Sequence, residues 1–432
     1  MATRGSPSPM WRDVRGYPLA AFAICLLAYA TAQMDLALFG YAIPSIRSEF
    51  GLSLSGVMAI VSSAFVLGGI LIVWLAVLTD RLGRKGMFQF SLIGSSILVA
   101  LHSVVPNPGT LALLRGTSIA VGGLSYPITG AILSEEFPAR YRGLFLGLLQ
   151  IGYPLGWALA SVWAWWLLQS YGWRSLFLVG LVSIPLVIVV NRFVREPPRS
   201  IAARSDMERR ARVRDLLAPG IRRRALLLFC AQFLFVWAYA GSIFLFPSYL
   251  ADSRGFSSGD FSLLIGAGNA IGILGYVLAA VTGEFLMTRR NTVVLWTLLG
   301  AAMFQAVVWM TDTFTQLLLA YGLMSMFFYG SAAVKFAYLA EVFPTRVRAT
   351  AMATCGSLAV TLGSAAGPLM VSRAVEATSW DYGYAVFVGV PLVAAGLLYL
   401  LLTPVPSGLE VEDVESLLST TDKGEHVVRL SR

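Results

Sequence analysis

Charge is what this sequence has least of. Asp, Glu, Lys and Arg together make up 13% of its 432 residues, where a soluble domain carries about 25%. That leaves too little polar surface to cover a soluble globule of this length. Histidine is almost absent, with only His102 near one end of an apolar block and His426 in the C-terminal tail. The three cysteines, Cys25, Cys230 and Cys355, lie inside apolar blocks and have neither a metal-ligand spacing nor a pairing pattern. No Gly-x-Ser-x-Gly, Walker loop or His-Glu-x-x-His pattern occurs. Hydrolase and ATP-driven chemistry are thereby left without a basis, and neither an enzyme, a cofactor nor a metal site is expected.

Apolar residues, at 57% of the chain, are what it has in excess, and they come in long runs. Crossing the hydrocarbon core of a bilayer takes roughly 20 apolar residues. Twelve blocks approach or exceed that length, at 17–44, 55–78, 87–105, 110–134, 143–168, 173–193, 225–250, 260–284, 291–311, 314–340, 348–373 and 382–403. The first follows Arg4, Arg12 and Arg15 and contains Ala30-Thr31-Ala32, which mimics a signal-peptide cleavage site. Its apolar run continues to Pro44, too long for a signal sequence, so it is read as a membrane span.

The surplus positive charge is unevenly placed. With the N-terminus on the inner side, the inner segments hold Arg4, Arg12, Arg15, Arg81, Arg84, Lys85, Arg140, Arg142, Arg289, Arg290, Arg346, Arg348 and an Arg-rich segment at 194–224. The outer loops hold only Arg47, Arg174, Arg254 and Arg373. Positive residues are retained on the cytoplasmic side, so both termini are expected in the cytoplasm and the number of spans is even. The basic central segment reads as a solvated linker near anionic lipid, not as a nucleic-acid site.

The chain also repeats itself. Glu135-Glu136-Phe137-Pro138-Ala139-Arg140-Tyr141-Arg142 follows block four, and Glu341-Val342-Phe343-Pro344-Thr345-Arg346-Val347-Arg348 follows block ten. Both read Glu-x-x-Pro-x-x-x-Arg. Pro44-Ser45 before Gly51-Leu52-Ser53 is matched by Pro247-Ser248 before Gly255-Phe256-Ser257. The near-constant offset marks two parallel six-helix repeats, with a site expected between them near the midplane. The predicted organisation is an N-terminal segment (1–16), a six-helix bundle (17–193), the linker (194–224), a second six-helix bundle (225–403) and a tail (404–432).

Between blocks two and three stands Ala76-Val77-Leu78-Thr79-Asp80-Arg81-Leu82-Gly83-Arg84-Lys85-Gly86. Gly83 suits a tight turn, and Asp80 can accept charge-assisted hydrogen bonds from an arginine or a helix N-terminus. The stretch resembles the signature loop of the major facilitator superfamily, Gly-x-Leu-x-Asp-Arg-x-Gly-Arg-Arg/Lys, with Ala76 in place of the first glycine. The matching second-half loop, Gly283 to Arg290, is degenerate and lacks the aspartate. The Glu-x-x-Pro-x-x-x-Arg pair is similar to that of sugar porters and metabolite–proton symporters, where it forms charge clusters that close the cytoplasmic side. The resemblance therefore implies an all-α membrane protein of twelve transmembrane helices, whose cytoplasmic gate comprises Asp80, Arg81, Gly83, Arg84, Lys85, Glu135, Arg142, Glu341 and Arg348. Helix capping at the interface is the plainer reading of the same glutamates.

Ionisable residues inside a membrane are costly, so each is a functional hypothesis. Asp35 lies in block one, whose Met34-Asp35-Leu36-Ala37-Leu38-Phe39-Gly40 resembles the first helix of aromatic-acid and sialic-acid proton symporters, Asp-Gly-Phe-Asp-x-x-x-x-Gly. Asp35 matches the second acid; Ala32 and Gln33 replace the first acid and the glycine. Arg115 precedes Glu135 by the spacing of an embedded arginine in those branches, where it can pair with the first-helix aspartate. Burial and a neighbouring guanidinium act on such an acid in opposite senses, which is what a proton switch requires. The resemblance then implies that protonation of Asp35 frees Arg115 to bind a substrate carboxylate; a purely structural Arg115 is the alternative. Lys335 in block ten either meets an anionic substrate or snorkels to the inner interface.

Gln33, Tyr41, Gln150, Tyr153, Gln232, Tyr239, Asn269, Gln305 and Tyr329 are candidate cavity residues, although amides and tyrosines also hold membrane helices together. Gly143, Gly147, Gly152 and Gly156 suit close helix approach. The expected function is secondary active transport in the plasma (inner) membrane, as proton symport of a small organic anion such as an aromatic acid or sialic acid. Protons and lipid are the other expected partners, with no nucleic acid, and the chain is expected to work as a monomer. A sugar or drug carrier of the same fold, or a receptor that has lost the transport cycle, are the alternatives.

Overall fold

A lipid-facing chain must satisfy its backbone polar groups internally, and a single apolar run can do so only as a helix. The computed structural model describes residues 15–194, 213–218, 221–343 and 345–404, and helices are the only regular structure among them. Most of the expected linker and tail lie outside the described residues. Twelve membrane helices follow one another. The first six are α1 (Tyr17–Phe50), α2 (Leu54–Leu82), α3 (Arg84–Leu101), α4 (Pro108–Gly123 and Ser125–Glu136), α5 (Ala139–Leu149 and Gly152–Ser170) and α6 (Trp173–Leu178 to Ile184–Phe193). The second six are α7 (Arg222–Asp252), α8 (Ser258–Val281), α9 (Arg289–Trp309), α10 (Phe314–Met324 and Ala332–Glu341), α11 (Thr345–Ala351 and Ala359–Ala377) and α12 (Trp380–Leu400).

Eleven of these are long and apolar enough to cross a bilayer as they stand. The twelfth, α4, is interrupted at Leu124, so neither piece has the length alone. The sequence explains the break. Pro127 has no N–H to return to Gly123, and Gly122 and Gly123 tolerate the irregular turn. Pro154 acts alike in α5, where Gln150, Ile151 and Tyr153 donate to carbonyls three residues back. In α10 and α11 the helix instead widens into π-turns at Ser325–Tyr329 and Met352–Leu358. By contrast α1 and α7 run unbroken through Pro44 and Pro247 to Phe50 and Asp252, so these prolines do not end their helices.

The repeated Gly-x-Ser motif has one local structure in both halves. Gly51 (φ 61°) and Gly255 (φ 70°) take left-handed conformations that favour glycine. Two residues on, Ser53 and Ser257 cap α2 and α8 by accepting from the N–H groups of Gly56 (3.0 Å) and Asp260 (3.2 Å).

Within the first half α1 packs closely on α5. A Cβ at Gly156 would stand 2.6 Å from the Cβ of Gln33 and 2.7 Å from the backbone N of Met34. In the second half α7 and α11 meet alike, with Gly363 against the Phe233 carbonyl and the Trp237 backbone N–H. Across the halves, α8 lies along α5 and α11 along α2. Large apolar side chains cover the outside: Val73, Trp74 and Ile188 are each more than 60% exposed, as befits a lipid-facing surface. The two ends of the bundle are named below by Arg47 and by Arg84.

Candidate functional site

Asp35 sits midway along α1 and is 4% exposed; Arg115, on the first piece of α4, is 2% exposed. They are brought together, though not as an ion pair. The Arg115 guanidinium donates to the backbone carbonyls of Asp35 (3.4 Å) and Leu36 (2.8 Å) and lies over the Phe39 ring, 4.4 Å from its centroid. Neither carboxylate oxygen of Asp35 has a hydrogen-bond partner among the described residues. Asp35, Arg115 and Gln33 line a cavity of about 110 Å³ with Phe65, Ser95 and Ser118. Every lining residue belongs to α1–α4, so this cavity lies inside the first half and not between the halves. It has room for several waters.

Lys335 lies in the second piece of α10, just beyond the π-turn at Ser325–Tyr329. It is 5% exposed, so it does not reach the surface of the protein, and its Nζ sits over the Phe235 ring without a hydrogen-bond partner. Phe235 belongs to a row of rings that crosses the molecule. It packs on Phe328 (5.3 Å between centroids) and Tyr239 (6.0 Å), and Tyr239 meets Tyr329 (4.8 Å). Tyr239 then meets Tyr153 of α5 at 5.3 Å, which joins the halves. The row continues through Trp157 to Tyr41 and Phe244, and Phe244 reaches Phe65 at 5.7 Å.

The polar candidates divide by position. Tyr41, Tyr153, Tyr239 and Tyr329 belong to this row, and Tyr41 donates to the Trp157 carbonyl (3.2 Å). Gln150 donates to the Tyr126 hydroxyl (3.1 Å) close by. Gln232, Asn269 and Gln305 are not brought to it. Gln232 accepts from Tyr399 of α12 (3.0 Å), Asn269 donates to Tyr321 of α10 (3.3 Å), and Gln305 donates to the Ala385 carbonyl of α12 (3.0 Å). These three join neighbouring helices of the second half. Phe235 is a residue that the sequence reading missed. Its place three residues from Gln232 and four from Tyr239 puts it on their helix face, which was the available signal.

At the Arg84 end, Gly83 takes φ 97°, and Arg84 forms an ion pair with Glu135. Lys85 donates to the Asn191 carbonyl (2.8 Å). The side chains of Asp80 and Arg81 lie outside the described residues. In the second half Glu341 pairs with Arg289, which also holds Glu284 at 2.6 Å. Arg289 stands where Arg84 stands: the offset that separates Glu135 from Glu341 carries Arg84 to within one residue of it. The degenerate loop thus keeps this cation, a correspondence the missing aspartate concealed. Arg348 donates to the Phe343 carbonyl (3.3 Å), and no ion pair among the described residues joins Arg142 to Glu135. Gly143 of α5 faces Arg289 so closely that a Cβ there would lie 3.0 Å from its Nη2, which brings the halves into contact at this end. At the Arg47 end the halves meet through the Arg47–Asp252 ion pair and through the Ser55 N–H, which donates to Glu376 (2.9 Å).

Comparison with known proteins agrees with this architecture. Residues 25–286 match the family described as Major Facilitator Superfamily. The chain is 28% identical over 381 residues to the cis,cis-muconate transport protein of Acinetobacter baylyi, covering 85% of this chain and 90% of that protein. It is 26% identical over 349 residues to the gentisate transporter of Corynebacterium glutamicum, covering 78% and 77%. Among solved structures, a bacterial homolog of the human lysosomal transporter Spinster, inward-facing and occupied, aligns with a TM-score of 0.64 over 94% of this chain and 97% of that one. At 16% identity that likeness concerns the fold alone.

Proposed function

The chain belongs to the major facilitator superfamily, and on that premise we propose that it imports a small organic anion together with protons by alternating access. The observation that carries the reading is the burial of Lys335, whose ammonium has neither an ion pair nor a hydrogen bond among the described residues. A buried cation without a counter-ion suits a ligand that brings a carboxylate. The relatives whose names specify muconate and gentisate support a planar unsaturated or aromatic acid, and the row of rings from Phe235 to Phe65 supports the same class.

Asp35 is the proton site in this proposal. It has a buried carboxylate free of hydrogen-bond partners and a cavity large enough for the waters that would deliver a proton. The Arg84 end is cytoplasmic on the positive-inside rule; the ion pairs Arg84–Glu135 and Arg289–Glu341 each brace the helix ends of one half there, and the contact of Gly143 with Arg289 is one that parts when that end opens. The protein acts as a monomer in the inner membrane.

Uptake by proteoliposomes under an inward-acid gradient tests this. The panel is gentisate, cis,cis-muconate, sialic acid, a saturated dicarboxylate and a neutral sugar. We expect accumulation of one acid that collapses with a protonophore. Asp35→Asn should abolish acid-driven accumulation and leave exchange of the same acid across the membrane. Uptake of the neutral sugar alone, or an Asp35→Asn protein that still accumulates in response to external acid, would overturn the proposal.

A further inference from the structure

The two buried cations differ in how they are occupied. Arg115 has its guanidinium spread over α1: one edge donates to the carbonyls of Asp35 and Leu36, and its face rests on Phe39. It ties α4 to α1 at the point where Asp35 projects. Taking it away for a substrate would leave those contacts unmade. Lys335 has no such commitment. Its ammonium touches the Phe235 ring, with no hydrogen-bond acceptor among the described residues. The negative face of a ring attracts a cation, and of the three N–H donors of the ammonium those turned away from the ring are available to a carboxylate.

We propose that Lys335 is the anchor for the substrate's carboxylate, and that Arg115 is a positioning residue that holds α1 and does not bind the substrate. The inference rests on the reading of the protein as a carrier of organic anions and assigns its chemistry to one residue. The acid's planar part lies along Phe235, Tyr239 and Tyr153, which lead from the ammonium to the junction of the halves. Ring faces stack on other π-planes in offset or edge-on arrangements, so the site favours a flat unsaturated or aromatic carboxylate over a sugar acid. Because Tyr239 and Tyr153 belong to different halves, a ligand lying on both would draw the halves together. The π-turn at Ser325–Tyr329, in the same helix as Lys335, fits this placement, since such turns recur at functional sites.

The test uses the full-length protein purified in detergent. Calorimetry measures binding of gentisate, cis,cis-muconate and 4-hydroxybenzoate, with 4-hydroxybenzamide as the uncharged analogue. We expect the wild type to bind at least one acid and to bind the amide much more weakly. Lys335→Gln should lower affinity for that acid by roughly 30-fold or more, as removal of one partner of a buried charge pair does, and should leave the amide unaffected. Lys335→Arg should restore part of the loss. Arg115→Lys should keep the acid affinity near that of wild type while slowing uptake, the pattern of a positioning residue. A thermal melt gives a readout that a structural lysine would not produce. Without ligand, Lys335→Gln should melt at or above the wild-type Tm, because an unpaired buried charge is gone, and the acid should no longer raise its Tm. An unchanged acid affinity in Lys335→Gln, a variant that fails to fold, or a loss confined to Arg115→Lys would each overturn the inference and leave anion transport standing. A wild type that binds none of the acids would overturn the anion reading itself.

Discussion

Arg289 holds Glu341 much as Arg84 holds Glu135, and the correspondence shows how single residues carry the symmetry of the chain. An ion pair at a half-buried helix end depends on both partners, and removal of one leaves the other charge poorly solvated. We therefore expect Arg289→Gln to cut uptake about tenfold, with Glu341→Gln doing the same. The double variant Arg289→Gln with Glu341→Gln should lose little more than either single variant, because the two side chains act as one contact. The rate of uptake in proteoliposomes reads this, and losses that simply add would show that the pair is not a working contact. At this scale the sequence made Asp35, Arg115 and Lys335 conspicuous, because charge inside an apolar block is costly. It could not show that Arg115 spends its donors on α1 carbonyls, since that depends on where α4 crosses α1.

At the scale of elements, the glycines of α5 have two different duties. Gly156 faces the backbone of α1, where a Cβ would lie 2.7 Å from a main-chain nitrogen. Main chain cannot yield as a side chain can, so Gly156→Ala should cost about 1–3 kcal/mol and lower the melting temperature of the purified protein. Gly143 faces the flexible head of Arg289, so Gly143→Ala should melt near wild type. A Gly156→Ala protein as stable as wild type would mean that α1 and α5 slide apart at little cost. The interruptions of α4 and α5 were legible in Pro127 and Pro154, although the apolar run alone reads straight across them. The π-turns of α10 and α11 carry no proline. The one in α10 lies where Gly300 of α9 presses on the backbone of Phe328, a contact between helices that only packing reveals.

At the scale of the whole molecule, the halves touch at both ends and along the aromatic row between. The contacts at the Arg47 end are partly exposed, and an exposed ion pair adds at most about 1 kcal/mol. Under the proposed alternating access they suit a closure that opens in every cycle. Combining Asp252→Asn with Glu376→Gln should shift the population toward opening at that end. A cysteine introduced at Ser45, in a background with Cys25, Cys230 and Cys355 replaced by alanine, lines the hollow there. Its reaction with a membrane-impermeant maleimide should accelerate by roughly threefold or more, and from the face opposite the Arg84 end. An unchanged rate would show that neither contact restrains the opening.

The amino-acid sequence by itself determined the membrane as solvent, the count of twelve helices and the duplication of the chain. Each follows from quantities that are local or periodic: apolar run length, the distribution of arginine, and a motif that recurs at a constant offset. It also determined which residues would be costly to bury. Tertiary structure alone decided what those residues touch. Whether a guanidinium meets a carboxylate or a carbonyl, and whether a lysine reaches the surface or a ring, depends on the angle and depth at which helices distant in sequence cross. Those crossings are set by the summed packing of glycines and rings over the whole bundle, which no single segment encodes.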